Sequence, residues 1–450
     1  MRAGLGLAVA VLGAAAAQAQ GSTSFAPDPS RAQHVRSGSP AAQPSLPPAF
    51  TIPVEPLGFS APGPIYLGQL YSFTSLDFLD ENRLLFTFRV PGLIHREHPD
   101  GDDEDTEEHH MRALVLELPS GSVRAEAVWT LHDRARYLWM LRDGHFLLRD
   151  GNTLQQGDAS LTLKPLLRFP GPLLAVDLDP TQQFLVTNSR EAQAAAKPGE
   201  VPSPASHPGD QGLSPGTPAT AAASVSVDGQ KSAATSDMVV RILHRDSGQV
   251  MLVGHVPSIV HLAINADGYL ESLRGRDARW LLNLNYFTGG SALVGKVDST
   301  CTPALEFVSQ REVLASVCNT VGDRKLVAMG TDGRRLWEQT TPATQIWPRL
   351  AMGPNGLRLA RETLAVSHPI DASSPFSRED LKGQLVEVLD AATGQVALTA
   401  PVSPVLDAGG NVAISPSGRR VAVLNGGDLQ VFELPAPPPL PDAAGNRPGR

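Results

Sequence analysis

One pattern recurs along this chain and leaves few folds open to it: a short apolar run, a turn, then a second apolar run. It is plainest near the C-terminal end, in "NVAISPSGRRVAVLNGGDLQVFELP" (residues 411–435). The same plan is found in "SLDFLDENRLLFTF", "YLWMLRDGHFLLRDG", "LLAVDLDPTQQFLVTNS", "IVHLAINADGYLESL", "ALEFVSQREVLASVC" and "RLAMGPNGLRLARETLAV". Period-2 alternation interrupted by Asp-Gly, Ser-Gly or Asn-Gly is the signature of a β-hairpin. Most copies are followed by a second hairpin, as in "RALVLELPSGSVRAEAVW" and "KLVAMGTDGRRLWEQ". The copies begin near Leu76, Tyr137, Leu173, Ile259, Ala304, Trp347 and Val412.

Three stretches break the spacing and do not read as strand: residues 95–111, 190–236 and 367–382. With these set aside the repeat is about 36–49 residues, the length of one four-stranded propeller blade. The chain is therefore expected to be all-β, a single propeller of about seven four-stranded blades over residues 50–435. The last copy supplies only three strands. An open sheet edge invites aggregation, and "FTIPVEPLGF" (residues 50–59) is expected to complete that blade as its outermost strand, where Pro53 and Pro56 are tolerable. Aromatic residues make up only 5% against 41 Gly and 39 Pro, which fits many short elements joined by turns.

The repeated plan resembles the WD40-like and quinoprotein-like β-propellers. "LDAATGQVAL" (residues 389–398) and "DGRRLWE" (residues 332–338) are similar to the turn and tryptophan signature of quinoprotein-type blades. The whole run, with its leader and "FLDENRLLFTFRVPGLIHRE", resembles exported propeller-like proteins of acidobacteria. No blade carries the Gly-His and Trp-Asp pair of true WD40 repeats, and the adjacent cysteines of quinone-cofactor dehydrogenases are absent. The resemblance implies the fold and argues against that dehydrogenase activity.

The first residues carry Arg2, an apolar core from Leu5 to Ala16, and an Ala17-Gln18-Ala19 cleavage site. They read as a signal peptide over residues 1–19, cut after Ala19, followed by a low-order leader over residues 20–49. The protein is expected in the periplasm or outside the cell, with no transmembrane segment and a Pro-rich, unordered tail over residues 436–450. In that oxidising setting Cys301 and Cys318, which flank a strand–turn–strand, are expected to pair as a disulfide; two buried free thiols are the other reading.

The segment 95–110 holds four histidines and eight carboxylates. Asp102, Asp103 and Asp105 suit calcium or magnesium, while His95, His98, His109 and His110 suit zinc or nickel. The spacing matches no EF-hand loop or tetrahedral zinc motif, and a solvated charged loop is the competing reading. A divalent cation is thus the one cofactor considered. The 190–236 stretch, without an aromatic residue, cannot bury enough apolar area to order itself. Asp77, Asp177 and Asp179 fall in or just after innermost strands, where they either line a central channel or cap turns; His255 and His261 flank a crossover between blades.

No nucleophile elbow, zinc-protease helix motif, phosphate loop or dinucleotide fingerprint is present. The net charge of −9 weighs against nucleic acid. Function is expected to reside in loops on one face. The leading reading is an exported binding or scaffolding module for a protein, a carbohydrate or another small ligand, without catalysis. The alternative is an exported metal-dependent hydrolase or lyase with its site at the channel mouth. All three interruptions fall between the second and third strands of their copies, so all three are expected on one face.

Overall fold

The computed structural model describes residues 46–60, 73–90, 95–96, 107–132, 136–191, 238–319, 323–370, 377–402 and 410–439. The expected signal peptide, most of the expected leader and tail, and residues 97–106, 192–236 and 371–376 of the three interruptions lie outside the described residues. All described residues belong to one unit, residues 37–450.

Seven sheets form a β-propeller, and each repeat builds one blade with antiparallel strands A to D running from the centre outwards. Blade 1 is Ser75–Asp80, Arg83–Arg89, Glu107–Glu117 and Ser122–Leu131; blade 2 is Leu138–Met140, Phe146–Asp150, Thr153–Gly157 and Leu163–Arg168. Blade 3 is Leu173–Leu178, Phe184–Arg190, Met238–His244 and Val250–Val256. Blade 5 is Ala304–Phe307, Glu312–Cys318, Arg324–Gly330 and Arg335–Thr341; blade 6 is Gln345–Met352, Arg358–Val366, Leu381–Asp390 and Val396–Val402. Alternation sends every second side chain of strands B and C against the next blade. Clusters such as Leu314, Leu326, Trp337, Leu359 and Leu389 therefore fill the wedge between neighbouring blades.

Blade 7 takes strands A to C from Val412–Ile414, Arg420–Asn425 and Asp428–Glu433, and its strand D from Phe50–Pro53. Phe50 pairs with Val431 and Pro53 with Asp428, so the expected closure by the N-terminal segment is found. Pro53 sits on the outer edge, where a missing N–H costs no ladder bond. Ile52, Val54 and Phe59 are buried with Phe86, Phe88, Leu114 and Leu116 of blade 1. The strand that completes blade 7 thus also fastens it to blade 1.

Blade 4 departs from the expected four strands. Gly268–Arg274, Trp280–Tyr286 and Ser291–Val297 form a three-stranded sheet, and the innermost segment touches it through a single bridge, Ile264 to Tyr269. Towards blade 3 this segment is held by Asn188, whose side chain accepts from the Val260 N–H (2.9 Å) and donates to the Val260 carbonyl (2.9 Å).

The interruptions are also shorter than the sequence suggested. Residues 107–111 belong to strand C of blade 1, because Met111 is buried there and His109 pairs with Leu131. His95–Arg96 pairs with Glu107 and Glu108, Arg190 ends strand B of blade 3, and Leu381 opens strand C of blade 6.

Cys301 and Cys318 are joined as a disulfide with Cα atoms 5.6 Å apart. The bond ties the crossover from blade 4 to strand B of blade 5. Beside it, Ser299 Oγ donates to the Cys301 carbonyl (2.6 Å) and accepts from the Cys318 N–H (3.1 Å).

Candidate functional site

The two faces of the ring differ in how their backbone groups are used. On one face lie the short turns between strands A and B, and these bond to one another. The Ser417 N–H and Oγ donate to the Glu81 carboxylate at 2.5 and 2.9 Å, joining blades 7 and 1. Asn355 donates to the Pro416 carbonyl at 2.6 Å, joining blades 6 and 7. Gln182 bonds to Arg142 N–H and the Met140 carbonyl, and Asn265 donates to the Gln310 carbonyl.

Two further bonds cross the centre rather than joining neighbours. Arg142 Nε of blade 2 donates to the Pro354 carbonyl of blade 6 at 2.7 Å, and Gln310 Nε2 of blade 5 reaches Asp179 of blade 3 at 3.4 Å. Asp179 is buried and also accepts from the N–H groups of Thr181, Gln183 and Phe184, so its main work is to hold its turn. The A–B end of the channel is thereby crossed by side chains.

Strand B runs away from this face, so the three interruptions leave from the opposite one. They follow Arg89, Arg190 and Val366, the last residues of strand B in blades 1, 3 and 6. The expected B–C placement holds in all three blades.

Between the faces the innermost segments of all seven blades enclose a cavity of about 400 Å³. Its wall has two characters. Blades 1 to 5 supply Asp77, Arg136, Asp177, His261 and Glu306, whereas blades 6 and 7 supply Leu350, Ala351, Met352, Val412, Ala413 and Ile414. Asp77 accepts from Ser75 Oγ at 2.5 Å, and Asp177 pairs with His261 Nδ1 at 3.0 Å. Arg136 donates to the Leu138 carbonyl and lies over the Trp139 ring. The Glu306 carboxylate makes no hydrogen bond or ion pair to any described residue.

The electrostatics follow from this enclosure. Glu306 is half-buried and lines the cavity. Burial, then the neighbouring Asp177 charge, push its carboxyl up to about 7 against the opposing pull of Arg136. Burial likewise raises Asp77, with Ser75 and Arg136 opposing, and the hydrogen bond to Asp177 raises His261 above the usual imidazole value.

A raised carboxyl makes the folded state hold a proton that the unfolded chain releases near its ordinary value of 4.5. Stability attributable to Glu306 therefore falls as pH rises from about 4.5 to about 7 and stays low above that. Glu306→Gln is expected to melt with wild type at pH 4 and several degrees above it at pH 8. Calorimetric scans across that range check this; equal melting at pH 8 contradicts it.

Of the first interruption's histidines, strand alternation sends His109 inwards, its ring centroid 4.6 Å from that of Phe73. It leaves His110 outside, 3.3 Å from Thr130 Oγ1. His95 lies in the two-residue strand, while His98, Asp102, Asp103 and Asp105 lie outside the described residues. Among the described residues no three His, Cys, Asp or Glu side chains gather as a metal site would require. His255 lies in strand D of blade 3, opposite Val239.

The sequence left Asp77, Asp177 and Asp179 open between lining a channel and capping turns; Asp77 and Asp177 line it, and Asp179 caps its turn at the channel's A–B end. Sequence reasoning missed Glu306 and Arg136, whose only signal was a charge at an inward position of an innermost segment.

Seven blades about a charged channel define the class as a seven-bladed β-propeller. No protein-family model matches the chain, and no curated protein matches it. Among solved structures it is similar to an acylaminoacyl peptidase of Pyrococcus horikoshii, at 11% identity and a TM-score of 0.44. That match covers 79% of this chain and 49% of the peptidase, so the chain spans about half of that protein. A chain in the crystal structure of a mitotic checkpoint complex is similar at 10% identity and a TM-score of 0.42, covering 89% of this chain and 97% of that one.

Proposed function

We propose that this protein is an exported binding module, in the periplasm or outside the cell, that engages a protein, carbohydrate or small-molecule partner through its B–C face. The observation that carries this reading is the contrast between the faces. The A–B turns spend their polar groups on each other, while all three interruptions enter and leave on the other side, and insertions in repeat folds collect on the binding face. Export is supported by the disulfide and by the signal-like leader of the sequence. Among the described residues no helix is long and apolar enough to cross a membrane.

Kinship with quinoprotein-like blades is supported by the meeting of the two motifs that suggested it. Trp337 Nε1 donates to the Ala391 carbonyl at 2.6 Å, and the ring lies so close to Gly394 that a Cβ there would stand 2.5 Å from it.

The test is photo-crosslinking in the native compartment from positions on each face. Crosslinks from Arg190 and Ser367, lost when residues 192–237 are replaced by a short linker, support the reading. Partner crosslinks confined to Asp143 and Asp332 overturn it.

An exported hydrolase or lyase at the channel mouth is the second reading, favoured by the His261–Asp177 pair beside Glu306. A divalent cation held by the acidic first interruption would serve either reading. Calorimetry with calcium, zinc and nickel, before and after deletion of residues 97–106, decides that point.

A further inference from the structure

We propose that the channel binds a primary ammonium group carried on an aliphatic stem. The charged wall receives the head group, and the wall of Leu350, Met352, Val412 and Ile414 receives the stem.

Charge is the first support. The groups facing the lumen are Asp77, Asp177 and Glu306 against Arg136 and His261, with Asp179 and Arg142 offsetting each other at the A–B end. With Glu306 ionised, and even with His261 counted as a cation beside Asp177, one negative charge is left unmatched, and a monovalent cation completes the set.

Geometry is the second support. Glu306, half-buried, lines the cavity with no hydrogen-bond partner among the described residues, although withdrawing a carboxylate from water without one is costly. Its environment already drives it to hold a proton near neutrality, as a site missing a cation would.

The shape of the wall is the third. A bare metal ion has no use for an apolar half-wall, and no three donors gather for one among the described residues. An alkylammonium uses both halves, as a lysine side chain does when its stem lies on apolar surface and its head seeks charge. The A–B end is crossed by Arg142 and Gln310, so entry is from the B–C end. A free alkylamine and a lysine side chain of a peptide offer the same chemistry. The inference does not rest on the partner-face reading, since exchanging the interruptions tests one and substituting channel carboxylates tests the other.

Titration calorimetry on the intact protein at physiological salt, which screens loose association with surface charge, provides the test. The probes are n-butylamine and an acetylated, amidated Gly-Lys-Gly peptide, with n-butanol and the Nε-acetyl-lysine peptide as controls. Saturable binding of either amine and of neither control is expected, tightening as pH rises from 6 to 8 while Glu306 loses its proton. Binding of butylamine alone points to a small free amine, and of the peptide alone to a lysine presented by a partner.

Glu306→Gln is expected to weaken binding at pH 8 about tenfold or more, the worth of one charge-assisted hydrogen bond, and to flatten the pH dependence. Asp177→Asn should weaken it comparably. Thermal melts show that each variant is folded, and Glu306→Gln should be the more stable protein. No saturable binding of either amine at 10 mM (a concentration set by about 3 kcal/mol of binding) overturns the proposal. Unchanged affinity in both folded variants does so as well.

Discussion

Deleting residues 46–59 should cost the protein most or all of its native stability. The segment contributes strand D of blade 7 and buries Ile52, Val54 and Phe59 against blade 1. At about 1.5–3 kcal/mol for each buried side chain, that burial is worth about 5–9 kcal/mol, comparable with the whole margin of about 5–15 kcal/mol for a folded domain. Beyond the strand pairing, three hydrogen bonds add to it: the Ala49 N–H to the Val431 carbonyl at 2.7 Å, the Val54 N–H to the Gly427 carbonyl at 2.8 Å, and Arg112 to the Leu57 carbonyl at 2.6 Å. Urea unfolding followed by circular dichroism should show a lost or strongly lowered midpoint. A synthetic peptide of residues 47–59 should restore much of it, because the missing interactions are those of one strand. A truncated protein as stable as the parent would show that blade 7 does not need this strand.

The second large effect is expected at Arg358. This side chain is 2% exposed and makes three connections: Asp390 Oδ1 at 2.8 Å, the Gly418 carbonyl at 2.8 Å and the Pro435 carbonyl at 2.9 Å. It holds strands B and C of blade 6 to the A–B turn of blade 7 and to the segment that follows its strand C. Arg358→Met keeps much of the volume but strands a nearly buried carboxylate and two carbonyls. Breaking one side of such a pair costs about 3–5 kcal/mol. Arg358→Met,Asp390→Leu removes both charges and should recover part of the loss. Denaturant midpoints for the two proteins check this, provided the slope with denaturant is unchanged.

The fold was legible because its information is local. Period-2 alternation and a turn residue at fixed offset are written in each hairpin, and seven rough copies average out their individual flaws. Closure by the N-terminal strand was legible for a different reason: three strands at one end and one spare strand at the other fit only one way. What failed to show was non-local. Nothing in "IVHLAIN" reveals that it will meet its sheet at a single bridge, or that Asn188, some seventy residues earlier, will bond to its backbone. The extension of blade 1's strand C through His109 and His110 was hidden for a similar reason. A run of Glu and His reads as solvated loop until the long strand D beside it is known.

The channel was half legible. Asp77 and Asp177 stand out as acids within apolar strands, but Glu306 in "ALEF" resembles any outward-facing residue of a hairpin. Only the ring shows that this position lines the lumen, within reach of the Asp177 charge. An enclosed pair of acids is a property of seven blades together, and no one repeat contains it.

The seam of blade 7 also sets the order in which the molecule can be made. Residues 50–53 emerge from the ribosome before any other strand of the ring, but their partners at 428–431 emerge only after six blades have been synthesised. For that whole interval the first strand has no sheet to join, and the inner face of blade 1 has no neighbour on one side. Contacts so distant in sequence form late, because the entropy of bringing the ends together must be met before the contact repays it. The half-built arc is then a fan of blades with two unguarded flanks, exposed to whatever binds open strands in the cell. It becomes a ring in a single last step, and a chain stalled anywhere before residue 428 cannot take that step.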